Sequence, residues 1–271
     1  MRKRHVIARV LLWLFVFITV APLMLCLINA FKTDAEIIKS YLSLPTSANL
    51  VNFKQIIEEE HYFLYFWNSV KLTIVIVLIS FIVIPFMSFV IVDNWEKRFY
   101  RILYMFLCAS MFIPRNLILF PLIKRFYSWN LMNELGVITY YTFMLMPETV
   151  FLLTPLFRKF GQSQKEAAML DGCSYLQYYF FVFVPICLPF QLAITSLNCI
   201  SIWNSFFMPL MILNKDPSTW TVPIFVYNFL DENNSRKNVA FATCLLSLLP
   251  MLLVYLKFHK SILHAMGGMR E

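Results

Sequence analysis

The chain has 271 residues, of which 60% are hydrophobic and 14% charged, and its formal net charge is +8. Soluble domains carry about 25% charged residues, so this composition excludes an ordinary water-soluble globule and requires lipid as the solvent. Five glycines and four histidines, with no G-x-x-x-x-G-K-[ST] loop and no H-E-x-x-H pair, exclude a phosphate-cradling nucleotide site and zinc chemistry of that type.

A hydrocarbon layer about 30 Å thick is crossed by about 20 apolar residues in helical form. Six stretches meet that length, over 10–30, 68–92, 102–126, 135–157, 182–206 and 239–258. They predict an all-α, polytopic membrane protein with six transmembrane helices. The first stretch follows Arg2-Lys3-Arg4 and Arg9, a positive head that secretory signals share. Its apolar run is longer than the roughly 7–15 residues of a signal core and more spans follow, so it reads as a retained helix. Residues 31–67 then form an outer segment too long for a turn. It mixes apolar residues with the acidic run Glu58-Glu59-Glu60, the makings of a small lid.

The third and fourth stretches each carry a charge beside a proline: Pro114-Arg115 and Pro147-Glu148. A mid-bilayer charge is costly and normally faces a water-filled cavity or a partner. Proline removes a helical N–H and interrupts the helix. Arg115 and Glu148 therefore border a translocation cavity, or else they pair structurally or lie nearer an interface. Pro121 and Pro155 add further expected kinks.

Between the fourth and fifth stretches lies a short run of polar and small residues with its own start and stop signals. Ser163 and Glu166 have the S-x-x-E spacing of a capping box, which predicts a helix opening near Gln164. Gly172 can adopt the left-handed conformation that closes a helix, and Ser174 with Gln177 repeats the capping spacing. The prediction is a helix, a sharp corner and another helix, with Ala167 and Ala168 leaving room for a partner's surface. In the fifth stretch, Trp203 can stack on a sugar face or anchor at the headgroups, and Asn204 can bond hydroxyls or pack between helices. Residues 207–238 form a second long outer segment. The six cysteines lack any C-x-x-C spacing, and most read as small hydrophobes of the core, while Cys173 alone is expected to face the loop between the fourth and fifth stretches.

Lys and Arg near span ends favour the cytoplasm. With an even number of spans, the segments on the side of both termini hold thirteen basic and five acidic residues, against nine of each sign on the other side. The net positive charge is therefore an orientation signal that places both termini in the cytoplasm, and no nucleic-acid partner is needed to explain it.

Glu166-Ala167-Ala168, Asp171-Gly172 and the downstream Pro185 and Pro189 resemble the EAA loop of permease subunits of bacterial ABC importers, specifically the carbohydrate-uptake type related to the maltose system and its G-type subunit. Asn68-Ser69, Ile113-Pro114 with Pro121, Phe151-Leu152-Leu153, Trp203-Asn204 with Pro209, Thr221-Val222-Pro223 and Leu249-Pro250 follow in the family's order, so the likeness covers nearly the whole chain. The resemblance implies an ABC type I importer permease fold as a single domain over 1–271. Its core helices would run over 68–258, with an extra N-terminal helix over 10–30 and a cytoplasmic coupling loop over 159–181. It implies an ATPase-docking role for Glu166, Ala167, Ala168, Asp171 and Gly172, with Arg115, Glu148, Trp203 and Asn204 as candidates for the translocation path. No catalytic residue, metal or cofactor is expected in this chain; ATP and Mg would belong to a partner ATPase. The partners implied are a second homologous permease, a cytoplasmic ATPase dimer, an extracytoplasmic solute-binding protein, a sugar substrate and the lipid bilayer of a bacterial plasma membrane. The chain departs from the family at Thr154-Pro155, where relatives carry an Arg, and at Phe160-Gly161, where they carry an apolar-Pro pair; the tail from Gly267 to Glu271 is only partly alike.

Two other classes use the same residues differently. A proton-coupled transporter would employ Arg115 and Glu148 as a relay. An intramembrane hydrolase would need a nucleophile or metal set that the spans, lacking mid-span histidine, do not offer.

Overall fold

The computed structural model describes residues 2–47, 49–58, 61–229 and 236–267. Glu59, Glu60 and the tail after Gly267 lie outside the described residues, as does the side chain of Ser163. Among the described residues, five helical segments are long and apolar enough to cross a membrane: Arg9–Ala30, Tyr62–Asp93, Glu134–Lys159, Tyr175–Trp203 and Lys237–His259. They belong to α1 (Arg2–Ala30), α4 (Tyr62–Asp93), α7 (Glu134–Leu170), the run from α8 (Tyr175–Gln177) through a π-helical turn (Tyr178–Phe183) into α9 (Val184–Trp203), and α12 (Lys237–Gly267). The long connections fold into short helices: α2 (Asp34–Lys39), α3 (Val51–Glu58), α10 (Phe207–Leu213) and α11 (Val222–Phe229).

The third predicted span is not one straight helix. It consists of α5 (Arg98–Ser110) and α6 (Arg115–Ser128), which meet at 102°. Pro114 cannot donate to the preceding turn and disfavours helix at Ile113. The end of α5 therefore tightens into bonds from Met111 N to Cys108 O, Phe112 N to Ala109 O and Ile113 N to Ser110 O, and α6 restarts at Arg115.

The break expected at Pro147 does not occur, because α7 runs through it, and through Pro155, without interruption. Each proline removes one backbone bond, but Leu145, Val150, Leu153 and Phe157 form a buried stripe that fixes the helix against its neighbours α5, α9 and α10. Nor does a helix open near Gln164. α7 continues to Leu170, since Gly161 alone costs only about 1 kcal/mol in a helix and the Gln, Lys and Glu residues around it favour helix. The S-x-x-E spacing also fits the interior of a helix, where residues three apart are neighbours.

The chain divides into two compact units, one comprising Met1–Trp67 with Thr221–Pro250 and the other Asn68–Trp220 with Met251–Glu271. The core of the first contains Ala30, Ile56, Tyr62, Val222, Phe225 and Val239, with Tyr65 stacked on Phe225 at 4.7 Å. Beside it Lys32 is fully buried, its ammonium donating to Asn29 Oδ1 at 3.1 Å, Ser40 O at 3.0 Å and Tyr41 O at 3.3 Å. Asn52 donates to the carbonyls of Ala30 and Lys32, both at 2.8 Å, and accepts from Asn238 at 2.8 Å. These bonds tie the end of α1 to α3 and to the start of α12.

The core of the second unit gathers Phe89, Leu153, Phe157, Ala168, Tyr178 and Phe183. Asn133 caps α7 by accepting from Leu135 N and Gly136 N, and Lys71 on α4 reaches Glu134 in the first turn of α7 at 2.6 Å. A Cβ on Gly136 would stand 1.9 Å from the carbonyl oxygen of Leu131, so only glycine permits this close turn into α7.

Candidate functional site

The corner between α7 and α8 is built almost entirely from local bonds. Gly172 has φ +82°, the left-handed conformation its position predicts. Around it Cys173 N donates to Ala168 O at 3.0 Å and Gly172 N to Met169 O at 3.1 Å, the pair of bonds of a Schellman motif. Two residues later Ser174 opens α8 with a complete capping box: Ser174 N donates to Gln177 Oε1 at 2.8 Å, and Gln177 N to Ser174 Oγ at 3.4 Å. The carbonyls of Ala168 and Met169 and the N–H groups of Ser174 and Gln177 are thereby satisfied within the corner, and its outward side chains take no part in these bonds.

Those outward side chains are Glu166, Ala167, Asp171 and the backbone of Gly172, all exposed. Ala168 is different. It is buried among Phe89, Leu153, Phe157 and Tyr178, where its small size lets α7 approach the core, so it is not open to a partner as its place in the tripeptide predicted. Leu170 was missed by the sequence reading and is 89% exposed. One turn beyond Glu166 on the same face, an apolar residue before Asp-Gly was the available signal.

The corner is braced from beneath. Lys165 pairs with Asp93, the last residue of α4, and lies 5.7 Å from the ring of Tyr175. Tyr175 also hydrogen-bonds Asp93 through its side chain. Arg158, one turn beyond the Thr154-Pro155 departure, places its guanidinium 4.2 Å from the centre of the Trp95 ring, and Trp95 meets Tyr104 of α5 edge-on at 5.4 Å. A cavity of about 710 Å³ opens among these groups, lined by Phe89, Trp95, Arg158, Lys165, Glu166 and Met169 among others. Its lining joins apolar side chains with charges of both signs.

Two of the four candidates for a translocation path, Arg115 and Glu148, face each other. Arg115, the first residue of α6, lies 3.7 Å from Glu148 on α7, and both side chains are more than half exposed. Trp203 is buried at 4% exposure, so its ring is offered neither to a solute nor to the headgroups. Asn204 ends α9 instead of packing between helices: it is exposed, and its N–H donates to Ile200 O at 3.1 Å. Nearby, the hydroxyls of Tyr141 and Ser205 are hydrogen-bonded and join α7 to the segment after α9.

An all-α membrane protein with a rigid, outward-facing corner at the end of its longest helix has the form of a transport permease. The chain belongs to the family described as binding-protein-dependent transport system inner membrane component, whose model matches residues 90–266. It is 30% identical to the multiple sugar-binding transport system permease protein MsmG of Streptococcus mutans, over 94% of this chain and 95% of that one. It is 26% identical to AmyC of Thermoanaerobacterium thermosulfurigenes, a probable starch degradation products transport system permease, over 98% and 97% of the two chains. Its fold is that of a chain in the crystal structure of a bacterial ABC transporter involved in the import of alginate, with a TM-score of 0.82, 20% identity and 96% coverage of each chain.

Proposed function

We propose that this chain forms half of the translocation path of an ATP-driven importer for a carbohydrate, with an oligosaccharide as the expected class of solute. The relatives' names point to sugars, and the chain covers almost their full length. A second homologous permease forms the other half, an external binding protein delivers the solute, and a cytoplasmic ATPase dimer holds ATP and Mg. The corner at Glu166–Gly172 faces the cytoplasm together with both termini, in keeping with the distribution of basic residues.

The observation that carries this reading is the form of the corner. Glu166, Ala167, Leu170, Asp171 and Gly172 stand exposed on a turn shaped by local backbone and capping bonds, and Lys165 links it to the end of α4. Such a rigid knob docks on an ATPase and passes its displacement to the spans. ATP binding draws the two permeases' corners together and opens the path outward; hydrolysis resets it. Arg115 and Glu148 are the polar groups of this chain assigned to that path, where each half-exposed charge can exchange its partner for solute or water.

The test is to isolate the tagged chain from its native membrane in mild detergent and identify what remains bound. Recovery of a second permease and an ATPase, with uptake that depends on ATP, is the expected result. Full uptake by the chain alone, driven by a proton gradient, would replace this reading with secondary transport.

A further inference from the structure

Pro85 lies inside α4 and has no N–H to give to the carbonyl of Phe81, one turn back. In a span, a carbonyl without a donor has no water to turn to. The structure supplies a substitute from another helix: Gln191 of α9 donates its side-chain Nε2 to Phe81 O at 2.7 Å. Gln191 is buried, so this bond is shielded from competition. The same seam between α4, α7 and α9 holds a bond from Asn198 Nδ2 to Thr149 Oγ1 at 3.2 Å, while the buried Ser80 Oγ has no hydrogen-bond partner. A cavity of about 10 Å³ opens between Ser80, Phe81, Pro85, Thr149, Gln191 and Asn198. The proline site therefore combines a polar tether with a small void lined by the same residues.

α4 continues from Pro85 to Asp93, where it meets Lys165 of the corner. The stretch between them is about two helical turns long. This stretch is one route by which motion of the corner reaches the proline, beside the direct continuation of the corner into α9.

We propose that Gln191 is a positioning residue. Its amide replaces the donor that Pro85 lacks and binds α9 to α4 at that point, so that displacement at the corner moves both helices together. The consequence for coupling rests on the corner's proposed docking role; the tether itself does not.

The two residues can be tested against each other. Pro85→Ala gives the Phe81 carbonyl a backbone N–H and makes the Gln191 donation redundant, while Gln191→Leu keeps the bulk and removes the donor. The readouts are the thermal midpoint and the MgATP turnover of the whole complex, purified through this chain and reconstituted in nanodiscs with its binding protein. Gln191→Leu is expected to lower the midpoint and to reduce turnover about fivefold, the effect of one hydrogen bond. In the Pro85→Ala background the same change is expected to leave both nearly unaltered, since the interaction is already replaced. Equal losses in the two backgrounds, or no loss in the parent, overturn the proposal. If Gln191→Leu yields no complex, recovery of the double variant supports it and failure of both overturns it. A non-additive midpoint with additive turnover overturns the positioning role, and Glu166→Gln, assayed in parallel, reports separately whether the corner couples to the ATPase.

Discussion

Two corners of this molecule solve the same problem in opposite ways. At Leu170–Ser174 every bond that shapes the turn joins residues at most five apart, and the side chains are left facing outward. At Lys32, where α1 ends, the donors and acceptors come from Asn29, Ser40, Tyr41, Asn52 and Asn238, with Asn238 bonding Asn52 across 186 positions, and the lysine is wholly enclosed. The first corner is a self-sufficient knob suited to contact another protein. The second is a knot whose polar groups are spent on one another, suited to fixing a fold.

That contrast can be broken most severely at Lys32. Lys32→Met takes their shared donor from three oxygens, of which Tyr41 O keeps a bond from Asn29 Nδ2, and the expected cost is about 1–3 kcal/mol. It is read as a lower thermal midpoint and reduced yield from the membrane. Next in size is Gly172→Val. A side chain at φ +82° adds about 1–2 kcal/mol of strain, more for a β-branched residue, with no steric neighbour within 4 Å to disturb. Uptake should fall while the amount of inserted protein holds; uptake equal to that of the parent would detach the corner from coupling.

Ser174→Ala sharpens the local side of the comparison. It removes one half of the capping box for about 1 kcal/mol, and Ser174→Asp, which restores an acceptor, should recover it in a thermal melt. The smallest effect is expected at Glu36, whose carboxylate accepts from Thr33 N and Thr46 N and also bonds the Thr46 hydroxyl. These bonds hold its pKa down from an ordinary 4.5 to about 2. The ionised form is the one stabilised, so its contribution is complete above about pH 4.5 and fades as pH falls toward 2. Hydrogen exchange across residues 33–46 should quicken over that window in the parent and lose the dependence in Glu36→Gln.

The legibility of each feature follows its range of bonding. The corner at Gly172 was readable because glycine, serine and glutamine at fixed short offsets carry their own geometry. The helix start predicted at Ser163 failed on the same grounds, since a three-residue spacing cannot tell the first turn of a helix from its interior. Proline was equally ambiguous. At Pro114 the helix breaks by 102°, whereas at Pro147 it continues, and the difference is the buried stripe from Leu145 to Phe157, which supports one helix and has no counterpart around Pro114 in α5.

By itself the sequence determined that this chain lives in lipid, that its spans are helical, and that a short capped corner interrupts them. Those properties follow from apolar run length and from hydrogen bonds made within a few residues. Only the tertiary structure decided that Ala168 and Trp203 are enclosed, that Arg115 faces Glu148, that Lys32 is satisfied by neutral oxygens, and that Gln191 completes the bond Pro85 leaves open. Each of these depends on which helix packs beside which, and in a chain that is apolar nearly all round, periodicity does not mark the facing side.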